Sequence, residues 1–191
     1  MNVNLGYEIA EKIKEKTAGC TTPESICGAM GIELRRPDLG NLKGMYRFSE
    51  RTRTAYINKR LVNYYELLQT TYHEVGHDQI PEHREMAKHK PLWDANTLNT
   101  VDSTEREANV LVAHVLVDRE ELLDFLMSGY SLDAAVRRFK VYMDLLILEL
   151  EETKKLMGKS FPLDLARLPR NADPCFLKAS NGMLNEYAWC D

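Results

Sequence analysis

Four cysteines, Cys20, Cys27, Cys175 and Cys190, are all the thiols this chain has, and no two of them form a C-x-x-C pair. That spacing argues against a thiolate zinc knuckle, and a chain of 191 residues can bury a core without disulfide staples. The thiols are therefore expected to be reduced, and packed or partly exposed. Long apolar runs are also missing. The longest, residues 141–150, is interrupted by Asp144 and Glu149 and reaches about half the length a bilayer requires. There is no excess of positive charge either: the formal net charge is −4, too negative for broad attraction to nucleic acid or an anionic membrane. The N-terminus, MNVNLGYEIAEKIKEKT, lacks the charged-then-apolar order of a secretory signal and reads as an amphipathic helix. No internal repeat or low-complexity tract is visible. These absences leave a soluble, cytoplasmic globular protein as the expectation, and a hydrophobic fraction of 44% supplies material for its core.

The periodicity predicts an α+β protein, mostly helical, with a small antiparallel sheet near its start. Leu5, Ile9 and Ile13 recur at helical spacing up to Gly19. Thr22 and Pro23 then have the residue types of an N-cap and a first helical position, and this second helix should end around Gly28 to Gly31. A short strand follows in GIELRRPDLG. Residues 45–48 and 54–57 alternate as two strands of a hairpin. From Leu61 the period lengthens: Leu61, Tyr65, Leu68, Tyr72 and Val75 form one stripe of a helix that should stop before Pro81. Residues 81–102 are polar and irregular and read as a long loop, with a short helical turn at most. A further helix starts in DSTEREANVLVAHVLVD with Ser103 or Asp102 as its cap, and two or three more follow, punctuated by Gly129 and Ser131. The main domain is expected over residues 1–158. Residues 159–191 are expected to form a tail, with Asn181-Gly182 as a hairpin signal.

Inside the long helix lies TTYHEVGHDQI, residues 70–80. Side chains four apart stand one above the other on a helix, so His73 and His77 can offer two imidazoles to one metal ion. Glu74 sits about 100° further round, where it can address a water without being forced to ligate. That is the chemistry of H-E-x-x-H: two neutral nitrogen ligands and a carboxylate general base. Chance alone produces the pattern in roughly one such chain in a hundred, and here it falls where the apolar period independently demands a helix. Gly76 is costly within a helix, by about 1 kcal/mol relative to Ala, unless something approaches the backbone there.

A catalytic zinc needs a third protein ligand and an open position. Glu105 and Glu107 in STEREAN are the candidates, two residues apart and so about 200° apart on a helix; both cannot face one metal. Glu105 is the better choice, because Asn109 shares its face and can support a ligand, with Glu107 the alternative. His83 and His89 read as solvated loop histidines. His114, in the apolar NVLVAHVLV, reads as a core histidine that could also donate into a cleft. Tyr46, Tyr72, His114 and Tyr130 are candidate donors to a developing oxyanion.

HEVGH followed by EREAN, with GMYR…TAYIN before and AAVRRFKVYMDLLILEL after, resembles the ImmA/IrrE family of zinc metallopeptidases over residues 5–158. The resemblance implies a gluzincin-like fold, with zinc held by His73, His77 and Glu105 and with Glu74 as the base. It also implies a protein substrate, a helix-turn-helix transcriptional repressor in a stress or mobile-element circuit. The chain departs from the family pattern after EAN, where Val110-Leu111 stand in place of a Phe-Ala pair. The tail after Gly158 has no family counterpart.

The expected function is therefore a zinc endopeptidase of narrow specificity. The alternative is a zinc-containing regulatory module that recognises a partner protein without cutting it. Arg137, Arg138 and Lys140 lend the segment LDAAVRRFK a helix-turn-helix flavour, but the net charge favours solvated side chains over DNA contact.

Overall fold

A computed structural model describes residues 3–94 and 103–168. The chain forms two compact units, Met1–Val115 and Leu116–Asp191. The hairpin signal at Asn181-Gly182, with Cys175 and Cys190, lies outside the described residues, as does the candidate cap Asp102.

In the first unit, α1 (Val3–Lys16) buries Ile9, Ala10 and Ile13, while Leu5 of the expected stripe stays exposed. Helix α2 (Pro23–Met30) starts as its residues dictate. The Thr22 hydroxyl accepts from the Ser25 amide, the Ser25 hydroxyl accepts from the Thr22 amide, and Gly31 closes the far end in the left-handed conformation. Three strands follow: β1 (Glu33–Arg35), β2 (Gly44–Ser49) and β3 (Thr52–Ile57). Glu50 and Arg51 both have positive φ, 50° and 66°, as a two-residue hairpin turn between right-twisted strands requires.

The sheet corrects one expectation. It has four strands in the order β1-β3-β2-β4 and is mixed rather than antiparallel, because β1 runs parallel to β3. A parallel neighbour needs a crossover, and residues 36–43 plus β2 supply it. The last strand, β4 (Leu92–Asp94), comes after the H-E-x-x-H helix and pairs antiparallel with β2, Gly44 opposite Asp94.

Helix α3 (Tyr64–Gln79) is capped by Asn63, whose side chain accepts from the amides of Tyr65 and Glu66. Leu61 thus lies before the helix, and Tyr65 and Leu68 are only half-buried. From Gln69 to Asp78 the helix is buried on every side, so its second half does not present one apolar stripe. Immediately after it, α4 (Pro81–Ala87) takes the first part of the expected loop as two turns of helix, more than the short turn allowed for there, and residues 95–102 of that segment lie outside the described residues. Proline at the first helical position and glutamate in the first turn are ordinary helix-starting residues. Tyr46 on β2, Ala87 on α4 and Leu92 on β4 pack into one buried cluster, with Phe48 and Met86 against it. Helix α5 (Ser103–Leu116) returns the chain to α3. Gly76 faces Ala108 there: a Cβ at position 76 would meet the Ala108 carbonyl oxygen at 3.4 Å and its Cα at 3.5 Å. An added methyl would sit in ordinary van der Waals contact with α5, so the close packing of the two helices does not by itself require glycine there.

The second unit contains α6 (Arg119–Met127), α7 (Leu132–Phe139) and α8 (Met143–Met157), which contact one another and bury Leu122, Leu126, Leu132, Val136, Leu146 and Leu150. Asp118 and Ser131 cap α6 and α7 by accepting from the amides three residues on. Arg138 is exposed and paired with Glu121, its Nε donating at 2.8 Å. Among the described residues, no helix is long and apolar enough to cross a membrane.

Candidate metal centre

Helices α3 and α5 bring His73, His77 and Glu105 together in the first unit. Their ligand atoms all lie within 4.8 Å of one another. Glu105 Oε2 is 3.0 Å from His73 Nε2, Glu105 Oε1 is 3.4 Å from His77 Nε2, and the two Nε2 atoms are 3.1 Å apart. Ligands about 2.0–2.1 Å from a tetrahedral metal sit roughly 3.3 Å from each other, so this spacing is that of a coordination shell. Of the two glutamates, the side chain facing the imidazoles is Glu105; Glu107 points round the helix to His83, at 3.0 Å from Nε2.

The chemistry of the donor set also fits a cation. His73 Nδ1 lies 2.9 Å from Asn109 Oδ1, which can only accept, so that nitrogen carries the proton and Nε2 is bare. A bare imidazole nitrogen facing a carboxylate oxygen at 3.0 Å is repulsive without a positive charge between them. Burial raises the Glu105 carboxyl, and positive charge at the two imidazoles, whether from protons or from a bound cation, brings it well below the usual carboxylate range. With that charge in place Glu105 is an anion, as a metal ligand must be.

Glu74 is fully buried, on the neighbouring face of α3 against strand β2. A Cβ at Gly44 would collide with Glu74 Oε1 and lie 2.9 Å from Thr70 Cγ2. Glycine at the start of β2 is therefore the space in which the carboxylate sits. Gly44→Ala should destabilise the fold by about 1–3 kcal/mol, the usual cost of overpacking, because the buried side chains of Glu74 and Thr70 would both have to shift. A thermal melt of Gly44→Ala within a degree of the parent would show that the carboxylate has another place to go.

The remaining candidates are dispersed. The Tyr46 hydroxyl is buried and donates to Asp78 Oδ1 at 2.6 Å; burial and then that carboxylate push its acidity strongly down, its pKa rising well above the usual phenol value. The Tyr72 hydroxyl donates to Thr17 Oγ1 at 3.2 Å. His114 is buried, its ring stacked on Tyr7 with centroids 3.8 Å apart, as expected of a core histidine. Tyr130 is an exposed residue of the second unit, stacked on Phe125. His89 is exposed, as a loop histidine should be, but His83 is not. It is buried in α4, with Nδ1 3.1 Å from His77 Nδ1. The expectation of a solvated His83 fails because Pro81 begins a new helix at once and turns position 83 inward. Pro-Glu directly before His83 was the signal for that helix. Cys20 and Cys27 are free, and burial, with Glu74 next, pushes the Cys27 thiol up to about 12.

The fold and the site together define an α+β protein with a two-histidine, one-glutamate candidate metal-binding triad. No family model matches the chain, and no curated protein matches it.

Proposed function

We propose that the chain is a zinc-dependent endopeptidase of the ImmA/IrrE type, acting in the cytoplasm on a specific protein, most simply a helix-turn-helix repressor. The observation that carries this reading is the convergence of Glu105 on α5 with His73 Nε2 and His77 Nε2 of α3, at 3.0–3.4 Å, beside the Glu74 that α3 also holds. Two imidazoles and one carboxylate are a zinc donor set of the hydrolytic kind, leaving one position open. When bound there, zinc would supply Lewis acidity, polarising a peptide carbonyl and acidifying water. The chain's own residues do the rest. Glu74 accepts the proton of the attacking water at a carboxylate oxygen and delivers it to the leaving nitrogen. Asn109 holds the His73 ring in register. The tight enclosure of Glu74 between Thr70 and Gly44 also supports the second reading, a module that keeps the metal and binds its partner without cutting.

The assay that separates them incubates the purified, zinc-loaded chain with a repressor encoded beside it and maps products by mass spectrometry. A discrete cut, lost with a chelator and restored by zinc, is the expected result. Stable capture without a cut selects the binding module, and neither cut nor capture removes the repressor as partner.

A further inference from the structure

We propose that Glu107 and His83 form a relay that keeps the proton on His77 Nδ1, and so aims the bare Nε2 of His77 at the metal. The inference rests on reading His73, His77 and Glu105 as a metal centre, and it assigns a positioning role to two residues outside that triad. The argument runs inward from the surface. Glu107, whose side chain is about a quarter exposed, is an acceptor when ionised, so His83 Nε2 at 3.0 Å carries the proton of that hydrogen bond. As a neutral imidazole His83 holds only that one proton, and the two Nδ1 atoms of His83 and His77, 3.1 Å apart, need a single hydrogen between them. His83 Nδ1 is therefore bare. At 3.1 Å from it, His77 Nδ1 must donate, and a neutral His77 then has no hydrogen on Nε2.

The alternative tautomer shows why this matters. A proton on His77 Nε2 would point at Glu105 Oε1, 3.4 Å away, and at His73 Nε2, 3.1 Å away. That proton would fill the place of the metal, and any ion would have to displace it. The hydrogen bond from Nδ1 to His83 removes this competitor. His73 is served by a different device, the side-chain oxygen of Asn109. The two ligand histidines are thus held from outside by separate helices: α5 supports His73, and α4, through His83, supports His77. Partners of this kind are worth about 10–100-fold in metal affinity elsewhere.

The test measures zinc affinity by chelator competition, and imidazole tautomers by long-range proton–nitrogen NMR on the metal-free full chain at neutral pH. The parent should show His77 protonated at Nδ1 and bare at Nε2. His83→Leu, of similar bulk but without an acceptor, should move that proton to Nε2 and weaken zinc binding roughly 10–100-fold. His83→Gln should recover most of the affinity, because its carbonyl can accept from His77 while its amide donates to Glu107. Glu107→Ala, a change at a partly exposed side chain, should weaken binding by a smaller factor and carries the test if His83→Leu does not fold. Unchanged affinity and an unchanged His77 tautomer in a folded variant would overturn the relay while leaving the metal centre intact. A parent chain that binds no zinc would instead remove the metal centre itself, and the relay with it.

Discussion

Glu74→Gln is expected to bind zinc as the parent does and to cut its substrate about 10²–10⁴ times more slowly, the usual value of a positioned general base. The two side chains are nearly the same shape, so the amide fits the space beside Gly44 that the carboxylate occupies. What it loses is the ability to take a proton. The residue is fully buried, and the two carboxylates that α5 brings nearby are engaged, Glu105 with the imidazoles and Glu107 with His83. A rescued rate through another group is therefore not expected. Single-turnover cleavage by the zinc-loaded variant, with bound zinc counted in the same sample, is the measurement. Parent-like turnover would show that the base lies elsewhere, and loss of zinc along with activity would place Glu74 in the support of the metal instead.

Asp78→Ala should be the most destabilising single truncation near the site, by about 3 kcal/mol or more out of a total stability of roughly 5–15 kcal/mol. Asp78 directly follows His77 and is wholly buried. Its carboxylate accepts from Tyr46 on β2 at 2.6 Å and from Arg53 on β3 at 3.0 Å, with Arg84 on α4 3.6 Å away. Arg53 in turn donates to the Met30 and Gly31 carbonyls at the end of α2. One carboxylate thus ties α3 to two strands and, through two arginines, to two more helices. Removing it leaves the Tyr46 hydroxyl buried without its acceptor and two guanidinium groups half-enclosed without a counter-charge. Both arginines retain some contact with water, which limits the cost to the lower part of the range known for buried pairs. Urea denaturation of Asp78→Ala, compared with Asp78→Asn, checks this. The asparagine keeps an acceptor for Tyr46 and should lose less, and equal midpoints for Asp78→Ala and the parent would exclude the network as a source of stability.

Asp78 also marks where reading along the chain stops. An aspartate between a histidine and a glutamine looks like a solvated residue, because nothing local reveals that Arg53 and Arg84 converge on it from 25 residues before and 6 after. His83 went the same way, although Pro81 and Glu82 did announce the helix that buries it. Gly44 is a comparable case. Its purpose is a contact with a side chain 30 residues later, and a glycine at the head of a strand has no local signature of that. The parallel pairing of β1 was likewise invisible, since a three-residue strand has the same pattern in either direction.

The sequence by itself determined what depends on neighbours a few residues away. Helical spacing puts His73 and His77 on one face and Glu74 beside them. Capping chemistry starts α2 at Thr22, and the two-residue separation of Glu105 and Glu107 forbids both from facing one metal. Only the tertiary structure decided what depends on distant elements meeting. It brings Glu105 rather than Glu107 to the imidazoles, holds α3 against α5 at Gly76 and Ala108, seats Glu74 on Gly44, and turns His83 inward to meet His77. The physical reason is range. Dihedral preferences and side-chain spacing act within one or two turns, whereas the donor–acceptor partners that set a proton on one imidazole nitrogen come from packing, which no local pattern encodes.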